Sequence, residues 1–308
     1  MIVVAGEALV DLVIDTEGAV VAKLGGGPYN VARTIGRLGH PVSFLGVISD
    51  DRFGTQLFAQ LVTDGVRADA TVRTTLPTTL AAAELNEHGA ATYRFYLAGT
   101  SAPSLSEVPP AVRAPEAVHA GTLGLVLEPM ATTLIDYLRA LPDTTLVMID
   151  PNCRAGVITD RAAYVHRVDQ ACERADVVKV SNDDTEYLAP GTDALDYSRS
   201  LVARGVKLVL LTMGAEGTLA VTAAGEELVP TKKIVVADTI GAGDSFGGAF
   251  VTWWLDAGLD RAQLADASLA AAATLAAQEV SAITCQRVGA DPPHRRELSD
   301  RWHLPIRA

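Results

Sequence analysis

Short unbroken apolar runs, each followed by a stretch with helical spacing, repeat along most of this chain. Residues 2–5, 42–47, 117–120, 146–149, 177–180 and 208–212 are apolar with little alternation, the pattern of strands covered on both faces. Between them, 28–38, 53–63, 130–140, 162–174 and 194–203 place apolar residues three and four apart, which predicts amphipathic helices. Pro28 suits a first helical turn, and Gly39 and Gly65 stop the first two helices. Strand–helix alternation of this kind predicts an α/β fold, a doubly wound parallel sheet with helices on both faces.

Two stretches break the rhythm. Residues 12–22 are short and strand-like, and 78–97 read as a hairpin, with 80–86 and 92–97 flanking a turn at Glu87-His88-Gly89-Ala90. No helical pattern accompanies them. They are expected to form a small β-sheet lid, from about 12–22 and 78–97, projecting from the main domain; a plain edge extension of the main sheet is the alternative. No repeats or long linkers interrupt the chain, so residues 1–308 are read as one domain, with a polar tail at 294–308 wrapping the surface.

Composition narrows the partners. Hydrophobic residues make up 49% of the chain, enough for a sizeable core. With 25 basic and 37 acidic residues the net charge is −12, which argues against nucleic acid or an anionic membrane as partner but not against a nucleotide held in a local pocket. Cys153, Cys172 and Cys285 are scattered, which reads as reduced thiols and a cytoplasmic setting. The first twelve residues lack a basic lead and contain Glu7 and Asp11, so no signal peptide is expected. No apolar run reaches the length of a membrane span.

The densest chemistry lies at 238–244, Asp-Thr-Ile-Gly-Ala-Gly-Asp. It follows Ile234-Val235-Val236, expected as a strand, and precedes 247–255, expected as a helix. A helix N-terminus carries unpaired N–H groups and partial positive charge, so Gly241, Ala242 and Gly243 form an anion site. Asp244 beside it suits a base next to a transferring phosphoryl group. A second glycine turn, Gly25-Gly26-Gly27-Pro28-Tyr29-Asn30, allows close backbone approach to a ligand. Asn30 offers an amide suited to a polyol; the same residues also read as a plain tight turn. Asp11, just past the first strand, can accept two sugar hydroxyls or serve as a solvated loop acid.

Other candidates sit at strand ends, where open parallel sheets bind ligands. Asp150-Pro151-Asn152-Cys153-Arg154 brings Arg154 to substrate or phosphate, with turn capping by Asp150 and Asn152 as the alternative. Ser181-Asn182-Asp183-Asp184 matches a capping box, and its carboxylate could equally hold hydrated Mg²⁺. Thr212, Gly214 and Gly217 suit an approach of backbone to phosphate and are also common turn residues. Gly243-Asp244-Ser245-Phe246-Gly247 matches the nucleophile elbow of hydrolases, with Asp266, Asp291, His294 and His303 following in triad order. An elbow turns directly off a strand, whereas Ser245 falls inside the predicted helix, so a hydrolase is set aside. No P-loop, dinucleotide fingerprint or zinc motif is present.

Together these motifs resemble the ribokinase-like (PfkB-type) carbohydrate kinase family over nearly the whole chain, from Val3 to Pro293. Residues 238–244 match its carboxyl-terminal D-T-x-G-A-G-D signature, and 25–32 its amino-terminal glycine signature. The resemblance implies an ATP-dependent sugar kinase with a ribokinase-like fold. It implies that Asp244 is the base, that Gly241, Ala242 and Gly243 are the anion hole, and that Asp11, Gly26, Gly27 and Asn30 bind the sugar. Thr212, Gly214 and Gly217 would face the ATP phosphates. The family's N-x-x-E metal motif aligns with 181–184, so Asp184 stands where Glu is usual and its Mg²⁺ role stays open. Asp238 and the Ile240 carbonyl lie where some members bind a monovalent cation such as K⁺. Within the family, Glu7-Ala8-Leu9-Val10-Asp11, residues 95–102 and 150–154 look most like fructokinases. 2-Keto-3-deoxygluconate kinases and ribokinases share the scaffold; an aromatic content of 5% argues against a nucleoside kinase. A non-catalytic sugar sensor is the competing class, and the intact 241–244 argues against it. Because a two-stranded sheet is marginal alone, a homodimer joined through the lid is expected.

Overall fold

The computed structural model describes residues 1–85 and 91–303; the hairpin turn expected at Glu87-His88-Gly89-Ala90 and the end of the tail lie outside the described residues. In chain order the strands are β1 (Ile2–Ala5), β2 (Leu9–Ile14), β3 (Val20–Gly25), β4 (Val42–Ser49), β5 (Thr71–Thr74), β6 (Leu80–Leu85), β7 (Ala91–Tyr96), β8 (Ala117–Gly121), β9 (Leu146–Asp150), β10 (Val177–Ser181), β11 (Leu208–Thr212), β12 (Thr218–Thr222) and β13 (Gly225–Val229). The helices are α1 (Gly27–Arg37), α2 (Arg52–Thr63), α3 (Met130–Ala140), α4 (Arg161–Cys172), α5 (Asn182–Leu188), α6 (Ala194–Ala203), α7 (Ala242–Asp256) and α8 (Ala267–Cys285).

Nine strands form the main sheet in the order β13-β12-β11-β10-β9-β8-β1-β4-β5. Seven run parallel, and β12 and β13 close one edge antiparallel. Alternate residues of β1 divide between the two faces. Ile2 and Val4 join an apolar cluster with Tyr29, Phe250 and Trp254, under α1 and α7. Val3 and Ala5 join a second with Leu134, Tyr164 and Leu201, under α3, α4 and α6. The chain winds one way from β1 to β4 and β5, and the other way from β8 to β11. The strand order therefore reverses between β1 and β8, and their carboxyl ends open the crevice where such sheets bind ligands.

A second sheet has the order β3-β2-β6-β7. Asp11, Ala81 and Phe95 are in register and share its inner face. Leu9 and Ala81 pack from that side on Leu123 and Val157 of the main domain, with Phe95 and Leu97 against them. The small sheet thus stands over the carboxyl edge of the large one.

Three expectations are corrected. The single strand at 12–22 is two strands, β2 and β3, because Asp15 Oδ1 accepts the N–H groups of Glu17 and Ala19 and turns the chain. Asp11 therefore lies on a strand of the small sheet, not in a loop. The run Ile234-Val235-Val236 forms no strand: Val235 is 88% exposed, and the neighbouring N–H groups of Ala237 and Asp238 bond to the Cys285 carbonyl instead. β-branched residues favour strands only where a neighbour pairs with them.

Candidate active site

Gly26 and Gly241 open the two helices that build the site. Gly26 precedes α1 at φ 109°, where a Cβ would stand 2.7 Å from the Glu7 carbonyl oxygen. Gly241 precedes α7 at φ 77°, in the left-handed region that glycine tolerates. A Cβ on Gly27 would lie 2.6 Å from Thr122 Cγ2 and 3.3 Å from Asp244 Oδ1. The glycines are thus what lets the two helix starts and the end of β8 converge.

At their meeting point Asn30 Nδ2 donates to Asp244 Oδ2 at 2.9 Å. Asn30 Oδ1 is buried without a partner. In the first turn of α7, the N–H groups of Gly243 and Asp244, and that of Gly241 before them, have no hydrogen-bond partner among the described residues. A carboxylate, an orphan amide oxygen and unpaired N–H donors therefore surround one point, an arrangement for a hydroxyl and an anion side by side. Burial, reinforced by the Asp150 carboxylate and only partly offset by the Asn30 bond, pushes the Asp244 carboxyl up to about 6.

A cavity of about 580 Å³ covers this point, lined by Asp244 and Asn30 from the main domain and by Asp11, Tyr93 and Phe95 from the small sheet. Burial raises the Asp11 carboxyl to about 6, with the nearby Arg154 opposing. A Cβ on Gly25 would lie 2.3 Å from Asp11 Oδ2, so glycine leaves room for that carboxylate.

Comparison with known proteins identifies the family. The model for "pfkB family carbohydrate kinase" matches residues 1–295. The chain belongs to this family. The pfkB chain is 32% identical to a fructokinase from Rhizobium leguminosarum bv. trifolii over 313 residues, covering 100% of this chain and 91% of that protein. A fructokinase from Xylella fastidiosa, solved with bound ATP, superposes with a TM-score of 0.87 at 28% identity, covering 94% of this chain and 93% of the other. A fructokinase from Vibrio cholerae O395, solved with fructose, ADP and calcium ion, gives 0.80 at 25% identity and covers 94% of each chain.

Of the residues anticipated from sequence, this pfkB kinase brings Asp11, Gly26, Gly27, Asn30, Arg154, Gly241, Gly243 and Asp244 to one cavity. Thr212, Gly214 and Gly217 lie outside its lining, at and beyond the end of β11. Gly217 has a packing reason of its own, since a Cβ there would stand 2.3 Å from the Val229 carbonyl oxygen. Asp184 completes a capping box: its Oδ2 accepts from Ser181 N and Oγ, and its Oδ1 from Cys153 N at 2.7 Å. Asp238 ties its turn to the last loop, accepting from Ile240 N and from Gly289 N. Ser245 lies within α7 with its hydroxyl donated to the Ala242 carbonyl, and Asp266 caps α8, so neither serves a hydrolase triad.

Sequence reasoning passed over Glu7 and Thr122. Thr122 holds φ 51°, unusual for a β-branched residue, and its hydroxyl donates to Glu7 Oε1 at 2.6 Å. Gly27 N donates to the same oxygen at 3.1 Å. Burial pushes the Glu7 carboxyl up to about 7, opposed by these hydrogen bonds. The signal in the sequence was an acid placed directly behind a fully buried strand.

Proposed function

We propose that this carbohydrate kinase transfers the γ-phosphoryl group of ATP to a primary hydroxyl of fructose. The observation that carries the reading is Asp244, buried and pinned by Asn30, one residue from unpaired helix N–H groups. The sugar hydroxyl approaches between Asp244 and Asn30 Oδ1, and its proton passes to the carboxylate as its oxygen attacks phosphorus. The N–H groups of Gly241 and Gly243 stabilise the charge on the migrating phosphoryl group, whereas the Ala242 N–H expected beside them is already donated to the Thr239 carbonyl. Asp11 and Arg154 hold the remaining sugar hydroxyls, beneath Tyr93 and Phe95.

Fructose is supported by the fructokinases that this chain resembles over nearly its full length. Thr212, Gly214 and Gly217 lie at the neighbouring strand end and would face the nucleotide phosphates. Among the described residues no cluster of three His, Cys, Asp or Glu can hold a metal ion. Both Asp184 oxygens already accept hydrogen bonds, so this residue fits Mg²⁺ only through water. Mg²⁺ carried on the ATP phosphates would supply charge neutralisation, and K⁺ would fit beside Asp238 and the Ile240 carbonyl. Among the described residues no helix is long and apolar enough to cross a membrane, and a cytoplasmic homodimer joined through the small sheet fits the acidic, cysteine-poor chain.

The test is ATP turnover with fructose, ribose, 2-keto-3-deoxygluconate and adenosine, with and without chelator. Fructose is expected to give the highest kcat/KM, and chelator to abolish turnover. Preference for another sugar would replace fructose, and phosphorylation of none would overturn the reading.

A further inference from the structure

Lys179 stands in the middle of β10, in a strand otherwise made of apolar residues up to Ser181. It is 5% exposed. Its Nζ donates to Asp150 Oδ2 at 2.7 Å, and the two side chains are shut away from solvent together. An ammonium has three donors, and the other two have no partner among the described residues. A Cβ placed on Gly243 would stand 3.3 Å from Nζ, so the ammonium lies against the first turn of α7 and reaches the cavity wall.

Stability does not account for this placement. A buried ion pair rarely improves on well-packed apolar side chains, because desolvation offsets the attraction. The charge balance of the cavity does account for it. Glu7, Asp11 and Asp244 line the cavity, with Asp150 just behind, against only two cations among the described residues, Lys179 and Arg154. Arg154 acts on both Asp11 and Asp244. A phosphoryl group arriving at the unpaired N–H donors therefore meets an excess of negative charge, and Lys179 is the cation set directly beneath them. Burial would lower the pKa of Lys179, but Asp150 and Asp184 outweigh it and keep the amine protonated.

We propose that Lys179 is a further catalytic residue, its ammonium contacting the γ-phosphoryl group in flight, with Asp150 as its positioning residue. This rests on the phosphoryl-transfer reading above. In the step, the bond from γ-phosphorus to the β–γ bridging oxygen breaks, and its electron pair leaves on ADP. A bond from the sugar oxygen to phosphorus forms, and the hydroxyl proton goes to Asp244. Lys179 keeps its proton throughout. It stabilises the equatorial phosphoryl oxygens beside the Gly241 and Gly243 N–H groups.

The test is a double-mutant cycle on the full chain, reading thermal midpoint, kcat, and fructose binding without nucleotide. Lys179→Met alone strands Asp150 and is expected to lower both midpoint and kcat. Adding Asp150→Asn should restore most of the midpoint while kcat stays about 10²-fold down and fructose affinity stays within about threefold of wild type. Lys179→Gln, which still donates to Asp150 without the charge, should fold and show the same kcat loss. Recovery of kcat together with the midpoint in the double variant would overturn the proposal, as would near-normal kcat in Lys179→Gln. A wild-type chain that phosphorylates no sugar fails earlier, and that result falls on the functional reading rather than on Lys179.

Discussion

Asp244 is held by one hydrogen bond from Asn30 in a buried setting, so its charge state and its position are separable. Asp244→Asn keeps the shape and is expected to leave ATP and fructose affinity within a few-fold, while kcat falls about 10²-fold or more. Ser245→Ala, which removes only a bond to the Ala242 carbonyl, should be mild. A carboxylate base must be ionised to work, and the Asp244 pKa lies at about 6. The kcat/KM of wild type should therefore fall as pH drops through about 6 and level off above it; a flat profile down to pH 5 would contradict a carboxylate base. Glu7 sits behind Gly27 with its own carboxyl raised to about 7. Gln at this position can still accept from Gly27 and Thr122, so Glu7→Gln should fold and leave the acid limb of the pH profile near 6, because Glu7 is already mostly protonated where Asp244 titrates. A folded-state pKa above the unfolded value gives stability that is full below about 4.5 and lost as pH rises through about 7. Melting curves should accordingly show Glu7→Gln gaining on wild type at pH 8 and little at pH 5.

At the scale of elements, the small sheet carries Asp11 on β2 and Tyr93 and Phe95 on β7, and its inner face rests on the main domain through few apolar residues. Sugar held between these side chains and Asp244 should therefore slow amide hydrogen exchange in β6 and β7; exchange indifferent to every sugar turned over would make the sheet a static wall. The buried parallel strands and their helices were legible because continuous apolar runs and helical spacing leave few alternatives. Met130–Ala140 and Ala194–Ala203 form helices with the anticipated bounds. Edge elements were not legible. In β13 the pattern Gly225-Glu226-Glu227-Leu228 is exposed and polar, and only pairing with β12 makes it a strand. Ile234 to Val236 had the better propensity and no partner. In the site, glycine turns announce themselves through spacing, so Gly26, Gly27, Asn30 and Asp244 were readable. Lys179 and Thr122 were not, because what they touch depends on strands and turns far apart in the chain, although a lysine inside the buried run Val177–Ser181 was an anomaly in plain view.

For the whole molecule, the outer face of the small sheet bears on assembly. Val20 and Tyr96, 56% and 57% exposed, lie on the face opposite Asp11, beside Leu12, Leu24 and Leu80, which pack against the main core of the same chain. Exposed apolar side chains on a four-stranded sheet suit a second copy of the same sheet. Light scattering is expected to give a dimer, and Val20→Glu with Tyr96→Glu a monomer. A monomeric wild type would remove the dimer and leave the lid unaffected, since the inner face makes its own contacts.

Placing Asp11 on the small sheet and Asp244 on α7 also bears on fidelity toward water. A water molecule can reach Asp244 as readily as a hydroxyl can, yet it cannot span from that carboxylate to Asp11. An acceptor held by both residues would therefore bridge the small sheet and α7 and complete the enclosure around the phosphoryl group. Without it, ATP should be spilled to water only slowly. Asp11→Ala, which cuts the bridge at its far end, should narrow the gap between sugar phosphorylation and idle ATP hydrolysis by slowing the first and sparing the second.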